Sequence, residues 1–201
     1  MSDFDRVAGY YDALKKLVFQ GTLDKASHYF ISQIPKNSSV LIVGGGSGKL
    51  LNYLHESHQV VYLEASEKMT LLAKSRNFKA EVNFITTTIE SFESSDLFDV
   101  VITPFVLDCF PEEQLDKVFY KLFKLLKKDG LWLHADFYPQ NYLQRKLTSL
   151  MYLFFRVNAK IEGKKAPDFG RYFQYSTFVE EKKGLFLNAM VHSYIYRKIA
   201  P

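Results

Sequence analysis

The stretch Val40-Leu41-Ile42-Val43-Gly44-Gly45-Gly46-Ser47-Gly48-Lys49-Leu50-Leu51 constrains the chain more than any other. Four apolar residues in a row read as a buried strand. Glycines at alternate positions read as a turn whose backbone comes close to something, and Leu50, Leu51 and Leu54 begin a helical period. A second apolar run, Val60-Val61-Tyr62-Leu63, ends in the acid Glu64 and is followed by Ala65 and Ser66. Strand, glycine turn, helix and strand ending in an acid make a nucleotide-cofactor unit of an α/β sheet. A glycine-rich turn after an apolar strand occurs in many α/β proteins, so the unit gains its meaning from the spacing of Glu64 and from the later strands.

That spacing narrows the cofactor. A dinucleotide fingerprint is G-x-G-x-x-G/A, whose third small residue lets the helix pack closely while its N-terminus faces a pyrophosphate. Here Lys49 stands at that position and the glycine falls one residue earlier, at Gly48. A G-x-G-x-G turn has no obligation to a diphosphate and suits a ligand whose ribose and amino-acid tail pass flat across it. Glu64 is placed at the end of the second strand for a bidentate grip on two ribose hydroxyls. On these residues the sequence resembles the class I S-adenosylmethionine-dependent methyltransferases, in particular their small, single-domain, ubiquinone-type members.

The resemblance implies an α/β, Rossmann-like, doubly wound and mostly parallel sheet with helices on both faces and an antiparallel C-terminal strand. It implies S-adenosyl-L-methionine as cofactor, contacted from Gly44, Gly45, Gly46, Gly48, Glu64, Ala65, Thr88, Ile89, Thr103 and Pro104. The segment from Phe4 to Asp12 resembles a leading helix in which a tyrosine, here Tyr11, folds over the cofactor; packing of Tyr10 and Tyr11 in the core is the other reading. Two positions depart from the family pattern. Ile42 stands where an acid usually organises the glycine turn and the cofactor's amino group, and Thr88 stands where an acid usually accepts from the adenine amino group. A threonine hydroxyl can accept that bond, more weakly than a carboxylate.

Composition sets limits around this reading. The chain has 201 residues, 47% hydrophobic and 24% charged, which is enough for one α/β domain with a full core. The net charge of +4 is too slight for a nucleic-acid footprint, and no Asn/Asp-Pro-Pro-Tyr/Phe motif of amino-directed nucleic-acid methyltransferases is present. A single cysteine, Cys109, leaves no intramolecular disulfide and fits a reducing compartment. Neither a secretory leader nor an apolar run of about 18 residues is found, so a cytoplasmic location is expected. No metal site is expected.

The single domain is expected to comprise an N-terminal helical lid (1–35), a cofactor-binding core (36–138), a helical, aromatic acceptor-side segment (139–183) and a terminal strand (184–201). Residues 4–34 read as helical with a break at Gly21. Ser66 reads as an N-cap, with Met69, Leu72 and Ala73 on the inward side of its helix. Strands are expected at Val82–Ile85, Phe98–Ile102 and Leu131–Phe137. The helix opened by Pro111-Glu112-Glu113 is expected to end at Lys127-Lys128-Asp129-Gly130 with glycine as a left-handed cap. Residues 141–159 read as a helix too apolar for a surface position, so something should cover it. The rings of Phe169 to Tyr175 either cover an acceptor pocket or pack on the sheet or a dimer contact. Residues 176–183 look helical, and only 189–197 alternates as a strand, leaving little room for a terminal hairpin.

Methyl transfer from a sulfonium is an in-line displacement, and the protein mainly aligns donor and acceptor in a site shielded from water. A base is needed only when the acceptor's lone pair carries a proton. Asp108, His134 and Asp136 are the bases available at strand ends, though His134 also reads as a satisfied sheet histidine and the two acids as caps or solvated groups. Cys109 reads as a small apolar residue. Three readings follow: a methyltransferase with a small aromatic or apolar acceptor, with peripheral membrane contact through 141–159 as a side hypothesis; a non-catalytic cofactor- or protein-binding protein on a degenerate methyltransferase fold, favoured by Ile42 and Thr88; and a nicotinamide-dependent oxidoreductase, disfavoured by Lys49.

Overall fold

The computed structural model describes residues 21–159, 163, 166–175 and 178–199. Seven strands form one sheet: β1 (Ser39–Val43), β2 (Gln59–Glu64), β3 (Glu81–Thr86), β4 (Phe98–Pro104), β5 (Leu126–Phe137), β6 (Phe178–Phe186) and β7 (Val191–Lys198), in the order β3-β2-β1-β4-β5-β7-β6. The first five pair in parallel, and β7 runs antiparallel to both β5 and β6. This is the Rossmann-like arrangement that the sequence implies. The helices are α1 (Thr22–His28), α2 (Glu67–Lys74), α3 (Glu112–Leu125), α4 (Tyr142–Ala159) and α5 (Phe169–Tyr175).

Strand residues alternate between two cores because successive side chains leave opposite faces of a sheet. Leu41, Val43, Val101, Trp132 and Tyr196 pack with Phe119 and Leu122 of α3 and with Phe169 and Phe173 of α5. Val40, Ile42, Tyr62, Ile102 and Leu133 pack on the other face with Phe30, Leu51 and Ala73. Helices therefore cover both faces. The Ser66 side chain accepts from Met69 N and caps α2, with Met69 and Ala73 inward, but Leu72 is exposed.

Several expectations change. After the glycine turn the chain forms a five-residue 3-10 turn, Lys49–Tyr53, instead of a full helix. Histidine and serine side chains then take the backbone: His55 N donates to His58 Nδ1, and Ser57 N to His55 Nδ1, so the chain is in β2 by Gln59. Helix α3 ends at Leu125 and runs straight into β5; Asp129, not Gly130, takes the left-handed backbone with φ 60°. Residues 178–183, part of the stretch 176–183 expected to be helical, instead belong to β6 (Phe178–Phe186), so a complete terminal hairpin exists. Its run Val179 to Lys183 is exposed at the edge of the sheet, where charged residues are a common protection and no apolar alternation is required. Of the expected helix at 4–34, Thr22–His28 is α-helical and Ile31–Gln33 is a 3-10 turn, with Gly21 at φ 77° marking the break; residues 4–20, including Tyr10 and Tyr11, lie outside the described residues.

Helix α4 buries Thr148 and Tyr152 but leaves Leu143, Leu147, Leu150 and Leu153 exposed, so its apolar surplus is not covered as expected. No described helix is long and apolar enough to cross a membrane.

Candidate functional site

At the carboxyl end of β1 the backbone turns through left-handed conformations, with φ 67° at Gly44, 61° at Gly46 and 75° at Gly48. Gly45 is required by close approach: a Cβ there would lie 2.4 Å from the Tyr62 ring. Gly46 is different, since a Cβ would meet nothing within 4 Å and only its backbone conformation demands glycine. Gly44 and Gly48 flank it, against Val106 and Ala73. Gly46 thus faces a cleft bordered by the glycine turn, Asp24, Ser27, Lys49 and Pro104. A flat ligand segment fits such a cradle, which a side chain at position 46 would enter.

Glu64 is buried at the end of β2 and holds this turn. Its Oε2 accepts from Gly46 N at 2.9 Å, and its Oε1 accepts from Ser66 N at 2.9 Å. Tyr62 adds a third tie, its hydroxyl donating to Gly46 O at 2.8 Å. Ile42, the register neighbour of both Tyr62 and Ile102, is wholly buried among apolar side chains. An acid in that environment would be desolvated without a partner. The turn is organised from β2 instead, which no single-strand pattern in the sequence signals.

Ala65 is exposed just beyond Glu64, and Thr87 N donates to Glu64 O at 3.1 Å, which sets the exits of β2 and β3 side by side. Thr88 is exposed with its Oγ1 3.4 Å from Ser91 Oγ, while Ile89 is buried in the core. Pro104 borders the cleft. Thr103 does not: its hydroxyl is buried, accepting from Trp132 Nε1 at 2.9 Å and lying 3.1 Å from His134 Nδ1. Phe105 follows with φ 56°, a conformation that bulky residues rarely adopt.

The structure joins two acids that the sequence offered separately. Asp108 and Asp136 are both buried and close enough to act on each other's charge, and Asp136 Oδ2 has no hydrogen-bond partner among the described residues. Burial, and then the neighbouring Asp108 charge, push the Asp136 carboxyl well above the usual carboxylate range. Asp108 is also raised by burial, opposed by donation from the Tyr152 hydroxyl at 2.9 Å. Tyr152, on α4, is the member of this group that the sequence reading missed; only the docking of α4 reveals it. Burial pushes the His134 imidazole down to about 3, leaving it neutral. The Cys109 thiol is pushed up by burial and by the neighbouring acids, which agrees with an inert role.

Phe169 and Phe173 pack against His134, and Phe173 stacks on Tyr196 at 3.9 Å, so these rings belong to the sheet face. A second, shallow cleft opens instead beside α1. It is lined mostly by apolar residues, among them Ala26, Phe30, Ile102 and Leu133, and it shares Ser27 and Pro104 with the first. Among the described residues no group of three or more His, Cys, Asp and Glu could hold a metal ion.

Residues 40–130, the span from β1 to the start of β5, match the model of a family described as a methyltransferase domain. Over that span the chain is similar to methyltransferase domains. It is 28% identical over 143 residues to the malonyl-[acyl-carrier protein] O-methyltransferase of Bacillus cytotoxicus; the match takes in 67% of this chain and spans about half, 48%, of that relative. Among solved structures, the fold is shared with the plantazolicin methyltransferase BpumL in complex with SAH (TM-score 0.69, 14% identity, 98% of this chain and 96% of that one). It is shared equally with the 1,6-didemethyltoxoflavin-N1-methyltransferase of Burkholderia thailandensis with bound 1,6-didemethyltoxoflavin and S-adenosylhomocysteine (TM-score 0.69, 15% identity, 98% and 87%).

Proposed function

We propose that this chain transfers the methyl group of S-adenosylmethionine to a small, largely apolar or aromatic acceptor. The observation that carries this reading is the meeting of two clefts at Ser27 and Pro104, one bordered by the glycine turn and the other lined mainly by apolar side chains. When bound, the cofactor supplies an activated methyl group on a sulfonium. The chain's residues then act by placement. Gly44, Gly45, Gly46 and Gly48 bring backbone against the ligand, Glu64 faces the ribose, and Ala65, Thr88 and Ile89 border the adenine. Pro104 separates donor from acceptor, and Thr103 stiffens the strand end behind it.

The groups at the strand ends favour an acceptor whose lone pair is available without a base. His134 is neutral with its pKa held at about 3, so it takes no proton readily at neutral pH.

A non-catalytic role on the same fold is the second reading, favoured by Ile42 and by the engagement of Glu64 with Gly46 N and Ser66 N. Calorimetric titration with S-adenosylmethionine, S-adenosylhomocysteine and NAD separates the readings. Binding of the first two alone, followed by transfer of labelled methyl to small apolar amines in preference to phenols and thiols, is the expected result. Absence of binding would transfer the case to the non-catalytic reading.

A further inference from the structure

Helix α4 carries its apolar stripe on the side away from the protein, the reverse of an ordinary surface helix. At 3.6 residues per turn, Gln144, Thr148, Met151 and Tyr152 share the side that holds the rest of the fold. The Tyr152 hydroxyl donates to Asp108 Oδ2 at 2.9 Å, Gln144 Nε2 donates to Asn188 O at 3.0 Å, and Met151 packs against the cluster of Phe137, Met190 and Val191. The opposite side presents Leu143, Leu147 and Leu150, spaced i, i+4 and i+7 and 77%, 45% and 65% exposed, with Tyr142 and Leu153 exposed beside them. Single exposed leucines are ordinary, but a continuous stripe on one helix face marks an interaction surface.

Charge distinguishes the partners such a stripe could take. The helix contains no Asp or Glu, and Arg145 and Lys146 are exposed on it, the Lys146 ammonium lying 4.8 Å from the centre of the Tyr142 ring. From 142 to 165 the sequence holds six of the chain's 26 Lys and Arg but one of its 22 Asp and Glu, leaving 20 and 21 elsewhere. The positive excess of the whole chain is therefore gathered on this helix and just after it. Two copies meeting through these faces would bring like charges together as water left. An anionic lipid surface instead takes leucines into its acyl boundary and basic groups at its headgroups. No described helix is long and apolar enough to cross a membrane, which suits a helix lying in the interface.

We propose that the outer face of α4 docks on an anionic membrane surface, Leu143, Leu147 and Leu150 entering the acyl boundary while Arg145 and Lys146 pair with the headgroups. Asp108 follows β4 and Asn188 lies in the turn before β7, so α4 is fastened at the carboxyl edge of the parallel strands. Docking sets that edge, which Pro104 and both clefts share, beside the lipid.

The test is co-sedimentation of the intact chain with vesicles of phosphatidylcholine alone and with vesicles of phosphatidylcholine and phosphatidylserine in equal parts. Binding to the second is expected to be about tenfold or more tighter than to the first, and to weaken as salt rises. Leu143→Gln combined with Leu147→Gln and Leu150→Gln is expected to lose about tenfold or more of that binding, with the melting temperature unchanged because these side chains lie on the surface. Lys146→Glu is expected to weaken binding to the anionic vesicles alone. Leu71→Gln with Leu72→Gln, a change to exposed leucines of α2, is expected to bind as the wild type does. Binding to neither vesicle, equal binding to both, or an equal loss in the α2 variant would overturn the proposal. So would a lipid-free dimer in sedimentation velocity that the triple leucine variant abolishes, since the face would then belong to a second copy of the chain.

Discussion

Glu64 and Asp136 both lie at the carboxyl ends of strands in the parallel part of the sheet, yet their surroundings are opposite. Glu64 accepts from the backbone N–H groups of Gly46 and Ser66, donors that favour a charged carboxylate. Asp136 accepts from Phe137 N, but its other neighbour is Asp108, and burial raises its pKa well above the usual carboxylate range. The same residue class is held by backbone donors in one half of the sheet and set against a second acid in the other. What decides is the balance of donors to acceptors within reach.

Removing each acid sharpens this contrast. Glu64→Ala leaves two backbone donors without their acceptor and is expected to cost about 3 kcal/mol in urea unfolding; a loss under about 0.5 kcal/mol would show that Glu64 does not hold the turn. Asp136→Asn acts in the other direction. The folded-state pKa of Asp136 is raised, so the wild type loses stability as pH climbs from the ordinary carboxylate range towards that raised value. The variant has no such loss. Melting curves from pH 4 to 8 should shift in favour of the variant, by about 1.4 kcal/mol per pH unit within the window, and parallel curves would refute the raised pKa.

Tyr152→Phe removes the donor to Asp108 and is expected to cost about 1 kcal/mol at neutral pH. Because the lost bond favoured the charged form of Asp108, the variant should also move the pH dependence of stability upward. Thr88→Ala touches an exposed hydroxyl and should change stability by less than about 0.5 kcal/mol. Its informative readout is the affinity for S-adenosylhomocysteine, which falls if that hydroxyl accepts from adenine and is unchanged otherwise.

The cofactor half of the fold was legible for a local reason. Strand, glycine turn and terminal acid occupy contiguous residues from Val40 to Glu64, and periodicity together with turn chemistry states their conformations directly. The other half was less so. The run Glu180-Glu181-Lys182-Lys183 reads as helix because an edge strand with both faces in solvent carries no alternation. Phe169 and Phe173 look like pocket linings until Trp132 and Tyr196 are placed beneath them.

By itself the sequence determined the sheet's first strands, the glycine turn, and the acid at the end of β2, since each depends on neighbours a few residues away. Only the tertiary structure decided that Tyr62 and Glu64 hold a turn lacking the usual acid, that Asp108 and Asp136 share a dry site under Tyr152, and that Asp24 meets Lys49 at the rim of the cleft. Each of these is a juxtaposition across strands or between helix and sheet. Its energy depends on burial and on the facing donor or acceptor, and neither quantity is defined until the chain has folded.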